Sequence, residues 1–406
     1  MSKLRVKPEY VKKVELALQK SNFTSKTILA DRLYISRATI TKFFNSEGVG
    51  SEKFQDICRA LWLDWQEISE NENVEVEGEI SHDWGTAPEI DDQTFYGRNE
   101  ELNTLEKWII TDKFRLICLS GIVGMGKTAL GVKFAQDNED KFDVIIYRSL
   151  KSAPNLINLL EDILKGLNNH SLGLVLPSLE KGLARLIDSL RKYRCLLLLD
   201  DVEEIFCKEA LAGKYKDGYE DYQKLWRRIS EAPHNSCLLM INREKPSDFD
   251  YLENRQRQVN SLYLSGLKEK EIDSIFQEQG ILGKENELTE IEQLYRGNPL
   301  FLKLVGARIK EVFGGNITDF LEYATRNFSD VNLLIEMQYE RLSEVEKAII
   351  QYLAKVENPV MFAQLRQEIK QPGLTDGVAS LTKRALIERS EAGFIIQKLV
   401  KLYVDS

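Results

Sequence analysis

The chain has 406 residues, 43% hydrophobic and 29% charged, with a net charge of −9. That length supports two or three domains, each with its own core, and the acidic balance excludes broad, nonspecific adhesion to nucleic acid, which needs a positive surface. No apolar stretch follows the charged start MSKLRVKPEY, Cys195–Leu199 and similar runs are too short to span a bilayer, and the five cysteines form no C-x-x-C pair. The chain therefore reads as cytoplasmic, without a membrane partner.

Residues 1–70 read as all-helical, with apolar positions at helical spacing through Tyr10, Val11, Val14, Leu16 and Leu18. They hold 12 Lys and Arg against 9 Asp and Glu, a mildly basic end of an acidic chain. A helix at Lys26–Leu33, a turn at Tyr34-Ile35 and a second helix at Arg37–Phe44 capped by Ser36 resemble the Cro/repressor type of helix-turn-helix. The resemblance implies Ala30 at the helix crossing and Ile35 and Ile40 in the core. It also implies Arg37, Ala38 and Lys42 at base-reading positions, with Thr39 and Thr41 near the backbone. Such a module serves either DNA or a protein partner, and its few cations leave both readings open. Asn45–Ser51 reads as a Gly-rich turn, Ser51–Trp62 as another helix, and Phe43, Phe44, Trp62 and Trp65 as core.

From 71 to 93 the chain carries eight acids and no Lys or Arg, which reads as an extended, solvated linker. Beyond it the texture is that of an α/β domain, 94–267. Leu102–Ile110 is a helix candidate, and short apolar strands follow at Phe114–Ser120, Val144–Tyr147, Cys195–Leu199, Cys237–Ile241 and Leu262–Leu264. Strands alternating with helices predict a parallel sheet covered on both faces. Residues 268–332 read as helical. Residues 333–406 read as three helices closed by a hairpin, Ile387–Ile396, in the manner of a winged helix.

Gly121-Ile122-Val123-Gly124-Met125-Gly126-Lys127-Thr128 fits G-x-x-x-x-G-K-[ST] without mismatch, between a buried strand and a helix opening at Thr128-Ala129. Glycines permit the tight turn that aims successive N–H groups at phosphate, Lys127 would reach the β/γ oxygens, and the Thr128 hydroxyl would ligate Mg²⁺. The helix adds its positive N-terminal end. Asp200, directly after the strand CLLLL, is the candidate metal-organising acid, and Asp201 the candidate to polarise an attacking water. A paired Asp at a strand end also serves as a helix cap or a solvated turn.

In this order the motifs resemble the NB-ARC class of signal-transduction ATPases, in its bacterial branch. Phe95-Tyr96-Gly97-Arg98-Asn99-Glu100-Glu101 is similar to the opening hhGR-x-x-E motif, and Phe142–Leu150 to the second strand. Leu239–Pro246 is similar to the strand whose terminal arginine, here Arg243, senses the γ-phosphate, and Gly297-Asn298-Pro299-Leu300 to the GLPL motif. The resemblance implies a P-loop NTPase sheet with appended ARC1-like and winged-helix ARC2-like subdomains. It places Gly97 and Arg98 near the base, Gly121, Ile122, Val123, Gly124, Met125, Gly126, Lys127, Thr128 and Ala129 around the phosphates, and Pro299 on the adenine. Gln397, in Ile396-Gln397-Lys398, stands where the family carries a phosphate-contacting histidine; it can donate a hydrogen bond but carries no charge.

Plain readings remain beside these: Arg243 as a surface arginine, Arg98 as the partner of Glu100 or Glu101, and Pro299 as a helix-start proline. The implied function is an ATP/ADP-binding switch with Mg²⁺, slow hydrolysis and a homo-oligomeric ATP state, with residues 1–70 meeting a protein partner. The alternative is an ATP-controlled transcription regulator touching DNA. A replication-loader ATPase also opens on GR-x-x-E, but the Arg296–Leu300 run disfavours it. Relatives usually continue into repeat sensors, whereas this chain stops at Ser406.

Overall fold

The computed structural model describes residues 3–21, 23, 25–71, 81–167, 175–323 and 329–404. They fall into two compact units, Met1–Glu79 and Ile80–Ser406.

The first unit is not all-helical. Strand β1 (Lys3–Val6) lies between β2 (Val49–Gly50) and β3 (Ser69–Asn71), antiparallel to both. Its alternation buries Leu4 and Val6 and exposes Lys3 and Arg5, a period of two over four residues that is too short to register against a following helix. Helices at Val11–Lys20, Lys26–Leu33, Arg37–Phe44 and Ser51–Ala60 pack around Leu29, Phe43, Phe54 and Ile57. Ser25 and Ser36 accept from the N–H groups of Ile28 and Thr39, both at 3.2 Å, and so start the second and third helices.

Trp62, expected in the core, is 92% exposed. It occupies the left-handed position that closes the helix before it, where Leu63 N–H reaches back to Cys58 O at 2.9 Å, and Leu61 takes the core instead. Tyr34 does the same after Lys26–Leu33 and is equally open to solvent.

The second unit is built on a five-stranded parallel sheet. Its strands are β4 (Leu116–Ser120), β5 (Val144–Ser149), β6 (Cys195–Asp200), β7 (Cys237–Asn242) and β8 (Val259–Tyr263), in the order β5-β6-β7-β4-β8. Alternation sends Ile117, Leu119, Leu198 and Ile241 into one core and Leu116, Cys118, Leu197 and Met240 into the other. Both faces are covered, so the strands read as unbroken apolar runs. Parallel pairing brings the carboxyl ends of β4, β6 and β7 to one edge, and β7 ends between the other two.

Part of the supposed linker belongs to this unit; residues 72–80 of it lie outside the described residues. Asp83 adds a parallel bridge to β5, with its N–H on Ile145 O at 2.8 Å and its carbonyl accepting from Tyr147 N–H at 3.0 Å. Its carboxylate pairs with Arg148. The acid looked solvated because its cation lies 65 residues further on.

Four helices follow the sheet: Glu269–Glu278, Glu285–Tyr295, Pro299–Phe313 and Ile317–Tyr323. Four more, Ser329–Tyr339, Glu344–Ala354, Phe362–Glu368 and Leu374–Lys383, lead to a hairpin of β9 (Ile387–Ser390) and β10 (Gly393–Ile396). The chain does not stop at the hairpin, because a helix at Lys398–Val404 packs Leu399 and Val400 into the same core. That core runs without a break from Ile117 to Val400, so the sheet and the C-terminal elements share one apolar interior.

Candidate functional site

A cavity of roughly 340 Å³ opens at the carboxyl ends of β4, β6 and β7. Crevices at this edge are where open α/β sheets bind ligands. Its walls are Val123, Gly124 and 126–129 of the loop and following helix, Asp200, Asp201, Glu203, Asn242 and Arg243, with Pro88 and Ile90 from the segment read as linker.

The loop is held from outside through three successive carbonyls. Asn298 Nδ2 donates to Val123 O at 2.8 Å, Leu300 N–H to Gly124 O at 3.3 Å, and Arg98 Nη2 to Met125 O at 3.0 Å. In a planar trans peptide the N–H points opposite the C=O. Tying these carbonyls outward therefore turns the amides of Gly124, Met125 and Gly126 the other way, as an anion cradle requires. Gly124 has φ +78, and a Cβ there would stand 2.7 Å from Asn298 Oδ1 and 2.8 Å from Leu300 Cβ. Only glycine satisfies both the turn and the contact.

Lys127 opens the helix Lys127–Asp137, and its ammonium donates to Ile122 O at 2.9 Å. Burial outweighs the nearby Glu203 and pushes this amine down to about 8. Thr128 Oγ1 donates to Asp200 Oδ2 at 2.7 Å, and Tyr147 OH donates to the same oxygen at 2.9 Å. Burial raises the Asp200 carboxyl above the usual range, partly offset by these donors. A hydroxyl and a carboxylate in contact are a fitting donor set for Mg²⁺, a hard cation that keeps most of its waters. Asp201 sits in a left-handed turn at φ +55 and accepts from Ser149 Oγ at 2.7 Å.

Arg243 lines the same cavity, where its Nε meets Glu203 Oε1 at 2.9 Å and its N–H donates to Oε2 at 3.1 Å. Glu203 is fully enclosed, and burial raises its carboxyl despite Arg243 and Lys127. The residue after Arg243, Glu244, turns into the core, where Arg341 Nε binds it at 3.0 Å and Arg384 pairs with its other oxygen. Arg384 Nε reaches on to Glu346 at 3.0 Å. Arg341 also donates to Glu203 O at 2.8 Å. The strand end at this cavity is thus wired to the C-terminal helices through buried charge.

Other sequence-selected residues stand elsewhere. The Arg98 guanidinium is buried on Glu101, Ser265 O and Met125 O, which is the plain reading of that residue with the loop added. Gly97 lines a separate cleft of about 150 Å³ with Ser265 and Glu271. Pro299 opens its helix at the first position, half-buried, and does not line the cavity beside Lys127 and Arg243. Gln397 faces a cavity of about 520 Å³ lined also by Met125, Tyr263 and Arg296, and donates to Glu388 at 3.2 Å. Met125 belongs to the loop, so this second cavity adjoins the cradle. In the first unit, Arg37, Ala38 and Lys42 are all exposed, with Arg37 4.0 Å from Asp31.

Glu203 and the Glu244–Arg341–Arg384–Glu346 cluster escaped the sequence reading. Glu203 follows Asp200 by three residues in DDVEE, the one local signal for it. The cluster joins four distant positions and left none.

The family model for the NB-ARC domain matches residues 98–222, which carry the loop, Lys127, Thr128, Asp200 and Asp201. Residues 98–222 form an NB-ARC domain. Arg243, Pro299 and Gln397 lie beyond the matched residues. An uncharacterized WD repeat-containing protein of Nostoc is 33% identical over 403 residues, covering 92% of this chain and 32% of that protein. The chain therefore spans about a third of the length of the curated relative it matches. The Walker-type ATPase of Pyrococcus abyssi superposes with a TM-score of 0.52 at 16% identity, over 79% of this chain and 99% of that one. A signal transduction ATPase with a tetratricopeptide repeat sensor from Pyrococcus horikoshii gives 0.43 at 18% identity, over 78% and 43%. The Pyrococcus abyssi likeness shows the fold alone, and it is the NB-ARC match over residues 98–222 that supports nucleotide binding. No described helix is long and apolar enough to cross a membrane.

Proposed function

We propose that this chain is an ATP/ADP-binding regulatory switch that uses Mg²⁺, hydrolyses ATP slowly and signals by rearranging its C-terminal helices. The observation that carries the reading is the adjacency of Arg243, in the phosphate cavity, and Glu244, buried on Arg341 and Arg384. A γ-phosphate drawn to Arg243 would pull on the strand end that holds these arginines, and a phosphate-driven order change is how such switches work. Lys127 would leave Ile122 O for the β/γ oxygens. Thr128 and Asp200 would hold the metal, which shields phosphate charge when bound. Asp201 would orient the attacking water. The base would lie toward Met125 and Gly97, with Pro299 and Gln397 closing that side. Clusters of triphosphate-loaded chains would present residues 1–70 to a protein partner through the face bearing Arg37, Ala38 and Lys42.

Equilibrium binding of ATP and ADP to the full chain and to Lys127→Ala tests the site. One nucleotide per chain in the wild type and none in the variant is the expected result. Equal binding by both would remove the assignment, and binding of DNA by the exposed helix face at low salt would redirect the first unit's role to operator recognition.

A further inference from the structure

The carboxylate of Glu203 lies inside a cavity built for anions, fully enclosed and gripped by two donors of Arg243. Lys127, whose charge Glu203 stabilises, donates to the backbone carbonyl of Ile122. Among the charged groups lining this cavity are two cations, Lys127 and Arg243, and three carboxylates, Asp200, Asp201 and Glu203. Asp200 is occupied by Thr128 and Tyr147, and Asp201 by Ser149. Glu203 is thus the acid that holds the second cation.

We infer that Glu203 sets the discrimination between triphosphate and diphosphate, by competing with the terminal phosphate for Arg243. This rests on the nucleotide-site reading above and assigns its regulation. The chemistry is an exchange of ion pairs with no bond made or broken. A diphosphate can settle in the 121–128 cradle and leave the Arg243–Glu203 pair intact. A triphosphate extends toward Arg243 and must either displace Glu203 or bind beside a full negative charge. Both options weaken the triphosphate and leave the diphosphate untouched. The backbone of Glu203 also accepts from Arg341, so release of its side chain loosens the same turn that anchors the C-terminal helices. Discrimination and signal would then share one residue.

The test is calorimetric titration of the full chain with Mg-ADP and with the Mg complex of the non-hydrolysable β,γ-imido analogue of ATP. Glu203→Gln keeps size and a hydrogen-bonding oxygen but removes the charge. It should bind the triphosphate at least 10-fold more tightly while diphosphate affinity moves less than about 3-fold. Glu203→Asp, which keeps the charge and shortens the reach, should raise the ratio by about 3-fold, and it carries the test should the first variant not fold. In an Arg243→Ala background the gain from Glu203→Gln should shrink to under 3-fold.

An unchanged ratio in both Glu203 variants, or equal loss of both nucleotides, would make Glu203 a structural acid and overturn the inference. Persistence of the full gain without Arg243 would overturn the competition. Failure of the wild type to bind either nucleotide would instead strike the underlying site assignment, so the two failures are distinct.

Discussion

Asn298 is the residue whose loss most cleanly separates cradle assembly from ordinary packing. Its side chain is fully buried, donates to Val123 O at 2.8 Å, and accepts from the N–H groups of Leu300 and Phe301 at 3.1 and 3.3 Å. Asn298→Ala removes the cap of the helix Pro299–Phe313, worth about 1 kcal/mol. It also leaves a buried carbonyl short of its donor, worth about 1–3 kcal/mol. The two together come to about 2–4 kcal/mol. Asn298→Asp keeps the capping oxygen but sets a carboxylate against the Val123 carbonyl, beside the phosphate loop. It should therefore weaken nucleotide binding more than alanine does, and the buried carboxylate facing a carbonyl should cost at least as much stability. Urea unfolding followed by tryptophan fluorescence, with the slope checked for constancy, gives the first quantity; nucleotide titration gives the second. A stability loss below about 1 kcal/mol for Asn298→Ala, with unaltered affinity in both variants, would refute the reasoning that carbonyl tethering shapes the cradle.

Two further expectations concern charge. With the Lys127 amine at about 8 in the folded chain and 10.5 when unfolded, the unfolded chain binds more protons between those values. This group therefore makes the free chain more stable as pH rises across that window. Phosphate restores the amine's charge, so nucleotide binding should take up protons above about pH 8, measurable as buffer-dependent heats; no uptake would contradict it. Glu244→Gln leaves Arg384 on Glu346 and Arg341 on the Glu203 carbonyl, without the carboxylate they share. Breaking such a buried pair costs about 3–5 kcal/mol, seen as a lowered urea midpoint, and a loss under about 1 kcal/mol would show the cluster to be dispensable.

What could be read from the sequence was whatever is encoded locally. The 121–128 loop, the acid after an apolar strand, and the helices at 26–33 and 37–44 each carry their signal within a dozen residues. β1 escaped because four alternating residues look like the start of the next helix. Trp62 misled because bulk says core, whereas its position at a left-handed helix end says solvent. Asp83 was assigned to a tether because Arg148 is remote in sequence. Glu203 and Glu244 take their meaning from partners on other elements, and local spacing holds no trace of those partners. The family resemblance supplied Arg243 through motif order. It did not supply the acid that holds Arg243, because that acid belongs to no motif.

In the proposed switch the terminal phosphate is felt in the C-terminal helices through the strand end at Arg243-Glu244. Amide hydrogen exchange of the full chain, loaded with Mg-ADP or with the Mg complex of the β,γ-imido analogue, tests it most directly. Protection should differ between the two states at 202–206, 338–346 and 380–388, where Glu203, Arg341, Glu346 and Arg384 sit. Identical exchange in those segments, with both nucleotides bound, would contradict it.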